Sequence, residues 1–449
     1  AGAALLLLLL LLAAGAHAQA VYASDYLPDD YAAGQAACMV DGIDWPLPSY
    51  ACYMTVNTTD DSNLFFWFFP AQDVALEDAP VLLWLNGGPG FSSLFGLFTE
   101  NGPFTVGAGS AFPALEANAY TWNRNFSMLY VDNPVGVGFS YTASAAGMAT
   151  GEEQVADNLY SLVAQFFQLF PELQQNDFYI TGESYAGKYV PAAAYKVHEM
   201  NAAGAQPQVP LRGISIGDGM MDPQTQTQGL ANQIFALSMF DYNQREQGRV
   251  YEDLIAMHIA KEEYTAAFEV FDEYLNGDFY PHATFYTNCT GMTNYYNFVD
   301  PAYPPNPWQL YLNLPTTQAA LHVVPGVYRQ YNATVEEFLV DDWMRSVAPL
   351  LPTLLDAYRV LVYNGQNDII LGPPPCENFL RQLEWAGQLD YLAAPKQLWN
   401  VAGQVAGYVR AGRSLTQVVV RDAGHLVPED QPQAALDMIE RFVYDVPFS

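Results

Sequence analysis

The sequence predicts an α/β fold: a mostly parallel central sheet covered by helices on both faces, with a largely helical cap insertion. Three observations lead there. Short apolar strand patterns alternate with helix-spaced patterns from about residue 50, as parallel sheets require. Residues 223–345 interrupt that alternation with amphipathic helical runs (VYEDLIAMHIAKEEYTAAFEVFDEYL) and aromatic loops (FYPHATFYTNCTGMTNYYNF). Third, TGESYAGKYVP at 181–191 sets a G-x-S-x-G match between an apolar strand, NDFYI, and a helix-like run to Met200. Strand, glycine turn and helix form the context in which a serine hydroxyl stands above a sheet edge.

The chain opens on AGAALLLLLLLLAAGAHAQA. An apolar run this short suits a signal-peptide core rather than a bilayer span, and Ala16-His17-Ala18 offers a small-residue cleavage site before Gln19. Residues 1–18 are therefore expected to be a secretory signal, shortened at its start because no initiator Met or basic segment precedes it. YACYMTVN and LFFWFF read as strands, VLLWLNGGPG as a buried strand entering a Gly/Pro turn, and MLYVDNP as a further strand. VADNLYSLVAQFFQLFP has helical spacing and stops at Pro171. RGISIGDG is a strand followed by MMDP, and after the insertion RVLVYNGQND and QVVVRDAGH restore strand–loop patterns. The expected organisation is a core of residues 19–222 and 346–449 around an insertion of 223–345, with no internal repeat.

Charge excludes some partners. Sixteen Lys and Arg stand against 48 Asp and Glu, a formal charge of −32, which argues against nucleic acid and anionic membrane surfaces. Protonation of carboxylates relieves the self-repulsion, so the composition fits a secreted protein or an acidic compartment of lysosomal or yolk-granule type. Sequons at Asn57, Asn125, Asn288 and Asn332 agree with the secretory route. The four cysteines allow two disulfides there; Cys38 with Cys52 is the local pair, leaving Cys289 with Cys376.

Ser184 needs an adjacent base to attack a carbonyl. His17 lies in the signal, and His198 stands fourteen residues along the elbow helix, roughly 20 Å from the hydroxyl. His258 and His322 read as packed or solvated helix residues, and His282 lies in an aromatic loop. His425 follows VVVRDAG, a strand ending in a glycine turn, where a loop side chain reaches back over the sheet. Asp368, at a strand exit 57 residues earlier, is the candidate for orienting the imidazole, with Asp218 and Asp222 as alternatives and Asp422 as a turn cap. The order Ser184, Asp368, His425 is that of α/β-hydrolases. An oxyanion hole then needs two backbone donors: one from Tyr185, the other from the Gly87-Gly88 turn of WLNGGPGFSS. No metal or cofactor is expected.

Together, WLNGGPGFSSLFGLFTENGPF, MLYVDNPVGVGFSYT, TGESYAGKYVP, ISIGDGMMDP, VYNGQNDIILG and GHLVPEDQP resemble the serine carboxypeptidase family, and most of all its vitellogenic and vitellogenic-like members. The resemblance runs from about residue 45 to the end of the sequence and rests on six ordered blocks. It implies an α/β-hydrolase fold with a helical insertion, and release of C-terminal residues from peptides at acidic pH. Carried over by motif, it implies a triad of Ser184, Asp368 and His425, oxyanion donors at Gly88 and Tyr185, and a site for the substrate's free carboxylate at Asn86, Gly87, Glu100 and Glu183. Glu183 would then hold a peptide end one residue from the attacked bond. The family's cysteine after Gly-Gly-Pro-Gly is here Phe91, so the cap is expected to be held by packing rather than by a disulfide at that point. The partner expected is a peptide with a free C-terminus, the state monomer or homodimer. An acyltransferase or esterase on the same scaffold, and an inactive yolk-type storage glycoprotein, are the competing readings.

Overall fold

In the computed structural model, whose described residues are 20–299 and 307–448, the apolar strand patterns assemble one ten-stranded sheet. In chain order the strands are β1 (Tyr50–Asn57), β2 (Ser62–Phe69), β3 (Val81–Leu85), β4 (Phe104–Val106), β5 (Leu115–Ala117), β6 (Ser127–Val131), β7 (Phe178–Glu183), β8 (Leu211–Gly217), β9 (Arg359–Gly365), β10 (Gln397–Val401), β11 (Gln404–Gly412) and β12 (Leu415–Val420). The sheet order is β1-β2-β6-β3-β7-β8-β9-β12-β11-β10, and β4 pairs with β5 as a separate ribbon. From β6 to β12 the neighbours are parallel. Antiparallel strands close both edges. The signal expected at residues 1–18 lies outside the described residues.

Parallel strands are buried on both faces, and their sequences show it. VLLWL and FYITGE are buried at every position. Their alternate side chains feed two cores: Phe66, Phe68, Leu83 and Ile180 pack on one face, Phe65, Trp67, Leu82 and Tyr179 on the other. Helix Glu152–Leu169 packs beside the elbow helix Ala186–Ala202 and against β1, and ends just before Pro171, whose ring excludes the next helical hydrogen bond. Between β8 and β9 the described residues form helices and loops without a strand. The longest helix there, Tyr242–Ala260, starts with a capping box between Asp241 and Gln244. No helix among the described residues is long and apolar enough to cross a membrane.

One expectation is corrected. Cys38 and Cys52 are disulfide-bonded, but Cys289 and Cys376 are free thiols. Cys289 lies on helix Phe285–Thr290, beside Asp241 and Gln244. Cys376 is buried on helix Pro373–Gln382, beside Asn364 and Asp218 at the sheet. Counting cysteines pairs them; the fold sets them on different helices, Phe285–Thr290 and Pro373–Gln382, as free thiols.

Candidate active site

β7 delivers Ser184 to the edge of the sheet in the left-handed region, at φ +63°. A non-glycine residue persists there only when its surroundings over-determine it. Ser184 N–H donates to Gly217 O at 2.9 Å, while Ser184 O accepts from Gly187 N–H at 2.9 Å and Met220 N–H at 3.1 Å. The flanking glycines make the turn possible by close approach. A Cβ on Gly182 would lie 2.5 Å from Leu85 O, and one on Gly187 would lie 2.6 Å from Met220 N.

Two loops beyond β9 and β12 bring the partners together. Asn367 N–H donates to Ala423 O at 2.7 Å, tying the loop of Asp368 to that of His425. His425 Nδ1 lies 2.8 Å from Asp368 Oδ2, and the other Asp368 oxygen accepts from Ile370 N–H at 2.9 Å. Both side chains are buried. With Nδ1–H donated, Nε2 keeps its lone pair; that atom is buried and makes no hydrogen bond. His425 N–H donates to Tyr296 O at 2.7 Å, and the two rings sit 4.9 Å apart, so a residue from the segment between β8 and β9 covers the imidazole. Ser184 and His425 line one cavity of about 230 Å³. The other histidines among the described residues are engaged elsewhere: His198 with Tyr358 Oη, His258 with Glu263, His322 with Ala51 O, and His282 beside Tyr280; His17 lies outside the described residues.

Among the alternative carboxyls, Asp222 caps Thr225 and Asp422 is exposed beside Arg421. Asp218 is different. It is fully buried against Asp368, accepts Gly365 N–H at 2.9 Å, and is held well above the usual carboxylate range by burial and by the Asp368 charge. Asp218, Asp368 and His425 offer donor atoms within 4.8 Å of one another, but the Asp368–His425 hydrogen bond uses two of them on each other.

Of the other predicted residues, Asn86, Gly87, Gly88, Glu183 and Tyr185 line the same cavity, and Glu100 stands behind it on Asn86. Gly87 approaches the elbow so closely that a Cβ would lie 2.4 Å from Tyr185 N, and Gly88, at φ +111°, lines the cavity beside Ser184 and Tyr185. Asn86 Nδ2 donates to Glu100 Oε1 at 3.1 Å and to Glu183 Oε1 at 3.0 Å. Its own Oδ1 is fixed by Gly96 N–H at 3.0 Å and Trp84 Nε1–H at 2.9 Å. Oε2 of each glutamate is buried without a donor. Burial pushes Glu100 up to about 7. Burial and then the Glu100 charge raise Glu183 well above its usual range. Two facing carboxyls in a dry site share a proton.

Over residues 42–445 the sequence matches the model of the family described as serine carboxypeptidase. The chain belongs to the serine carboxypeptidase family. It is 44% identical to the human "Probable serine carboxypeptidase CPVL" over 89% of this chain and 83% of that one. It is 42% identical to the venom serine carboxypeptidase of Apis mellifera over 90% and 85%. With the vitellogenic carboxypeptidase of Aedes aegypti it shares 39% identity over 88% and 83%. The fold is that of a prohormone-processing carboxypeptidase from Saccharomyces cerevisiae, with a TM-score of 0.77 at 23% identity over 92% of this chain and 96% of that one. The α/β-hydrolase fold expected from the order of the motifs is the fold observed.

Sequence reasoning missed what ties helix Ala333–Trp343 to the elbow. Lys188, one turn past Ser184, is fully buried and donates to Asp342 of helix Ala333–Trp343, which also accepts Tyr185 Oη–H at 3.0 Å. Buried Glu152 adds a second carboxyl, raised well above its usual range by burial and by the Asp342 charge. At Phe91, packing is joined by backbone pairing. The ring lies 4.9 Å from that of Tyr331, Ser92 N–H donates to Gln330 O at 2.7 Å, and Asn332 N–H donates to Gly90 O at 3.0 Å. Of the sequon asparagines only Asn288 is exposed; Asn57, Asn125 and Asn332 are half-buried, with Nδ2 donating to Asp60, Glu440 and Gly136 O.

Proposed function

We propose that this protein is a serine carboxypeptidase that releases C-terminal amino acids from peptides at acidic pH. The observation that carries the reading is the glutamate pair on Asn86 next to Ser184. An endopeptidase site has no use for buried, proton-sharing carboxyls there, whereas a peptide's terminal carboxylate does. The protonated pair and the Asn86 amide donate to that carboxylate, with Gly87 leaving room for the chain end. Ser184 Oγ attacks the last peptide carbonyl as His425 Nε2 takes its proton, and Asp368 holds the imidazole in the needed tautomer. Backbone N–H groups of Gly88 and Tyr185 receive the oxyanion. His425 then protonates the leaving amine, and the terminal amino acid departs. A water deprotonated by the same imidazole attacks the acyl-enzyme and frees the shortened peptide and Ser184.

Residues 19–222 and 346–449 act as one catalytic core, and 223–345 as a cap, because Asn276, Tyr296, Tyr331 and Trp343 of the insertion line the cavity over Ser184. Acidic composition and the expected signal support a secreted or lysosome-like location without nucleic-acid or membrane partners, as monomer or homodimer. Asn288 is the sequon best exposed to take a glycan, ahead of Asn57, Asn125 and Asn332. Incubation with an N-blocked dipeptide at pH about 5 should free its terminal amino acid, and a serine-directed phosphonate should label Ser184 stoichiometrically. Neither occurring across a panel of terminal residues would refute the reading.

A further inference from the structure

One wall of the cavity has no part in that chemistry. Glu336 and Asp278 both line it. Glu336, on the first turn of helix Ala333–Trp343, is 1% exposed. Its Oε2 accepts the Tyr331 hydroxyl, while its Oε1 is buried without a donor. What faces it is the carboxyl of Asp278, which stands at the exposed rim and accepts Asn276 Nδ2–H at 2.5 Å. Asp272 behind them is differently provided for: its carboxylate accepts N–H groups of Asp278, Phe279 and Tyr280 at 2.7, 3.0 and 2.6 Å.

No Lys or Arg lines this cavity. Among the described residues no cationic side chain pairs with Asp272, Asp278 or Glu336. A carboxyl as buried as Glu336, faced by a second one at the rim, needs a proton or a cation between the two. Burial and then the Asp278 charge push Glu336 up to about 8, and a cation placed beside it would favour its ionised form instead. Beside the acids, Phe91, Phe95, Trp343 and Leu371 supply flat apolar surface of the kind that takes the methylene stem of a long side chain.

We propose that Glu336 and Asp278 form a subsite for a cationic side chain, arginine before lysine, on a residue flanking the scissile bond of the peptide. The placement of that residue rests on the carboxypeptidase reading. Arginine is favoured because its planar fork offers five N–H donors in fixed bidentate geometry, where an ammonium is a compact point charge with three.

The test is binding of N-blocked peptides to Ser184→Ala by calorimetry, with arginine or its neutral isostere citrulline at the terminal or at the penultimate position. At one of the two positions arginine binds about tenfold tighter or more than citrulline. The ratio falls to near one when Glu336→Gln and Asp278→Asn are added, and Glu336→Gln alone serves where the pair does not fold. The position showing the ratio assigns the wall to the terminal or the penultimate side chain. Ratios near one at both positions, tighter binding of citrulline, or a ratio that survives the substitutions would each overturn the subsite. Wild-type turnover of the same peptides is followed in parallel. Absence of all release with the arginine ratio intact would refute the carboxypeptidase reading and leave the cation site standing.

Discussion

If the Glu100–Glu183 pair reads a terminal carboxylate through its proton, KM must depend on pH while chemistry after binding does not. The perturbation is Glu183→Gln, alone and with Glu100→Gln. In the wild type Glu100 lies at about 7 and Glu183 well above its usual range, so the pair is protonated in acid and loses a proton near neutrality. An ionised pair repels the incoming carboxylate in a site from which water is excluded. One proton lost with an apparent midpoint near 7 makes KM rise roughly tenfold between about pH 6 and about pH 8, a change of about 1.4 kcal/mol in binding. The amide introduced by Glu183→Gln still donates but leaves Glu100 to titrate, so the rise shrinks in the single variant and vanishes in the double. C-terminally amidated peptides, which bring no charge, show no rise in any of the three proteins. The measurement is KM against pH on one free-carboxylate peptide and its amide. A rise of the same size in the double variant would show that the pair does not sense the carboxylate by its proton.

Further outcomes follow from the same geometry. Ser184→Ala and His425→Ala each lower kcat by roughly four to six orders of magnitude, and the double variant is hardly slower than either; a much slower double would mean that they act independently. Lys188→Met leaves Asp342 and Glu152 uncompensated in the core and costs about 3–5 kcal/mol, read as a lower urea midpoint; an unchanged midpoint would show that the buried pair contributes nothing. Folding should be tightest in acid. Asp132 and Glu100 lie at about 7 and Glu336 at about 8, all raised above their unfolded values by burial. The folded chain therefore holds extra protons across that window, and stability is full below about pH 4 and lost as pH rises through 7 to 8; a melting temperature that climbs over that range would contradict it. Reduction of Cys38–Cys52 leaves turnover intact, because the strip at Gly90–Ser92 holds the cap through Gln330–Asn332 rather than through a disulfide; loss of activity on mild reduction would show otherwise.

The candidate site was legible because its residues sit at strand exits, and strand exits are written in short apolar runs closed by glycine. VLLWLNGG, FYITGES, VYNGQND and VVVRDAGH each name a strand and the side chain it delivers. The β10–β11 hairpin escaped because edge strands are half exposed and their apolar alternation fades; QLWNV buries only Trp399. The Cys289–Cys376 pairing failed because parity says nothing about distance. The Lys188 cluster and the Glu336 wall escaped for another reason. A charged residue on a helix reads as solvated, and only the packing of a second helix turns it inward.

That last point changes what the charge of −32 means. Read as composition, it is a solvated acidic surface. In the fold, part of it is interior: Glu100, Asp132, Glu152, Glu183, Asp218 and Glu336 are buried carboxyls, all raised by burial before any other cause. Glu183 and Glu336 line the cavity, Glu100 shares Asn86 with Glu183, and Asp218 abuts Asp368. Desolvation of six acids is unfavourable at neutral pH and nearly free where they are protonated. If the glutamate pair holds a peptide end, acidity serves it and the buried carboxyls alike but in successive windows: stability is lost as pH rises from about 4 toward 7 to 8, and affinity as pH rises past about 7. Measured on one preparation from about pH 5 to about pH 8, melting temperature should fall first and level off near 7 to 8, where substrate affinity begins its own fall. Stability that stayed level over the whole range from about pH 5 to about pH 8 while affinity fell would place the pH response in the site alone.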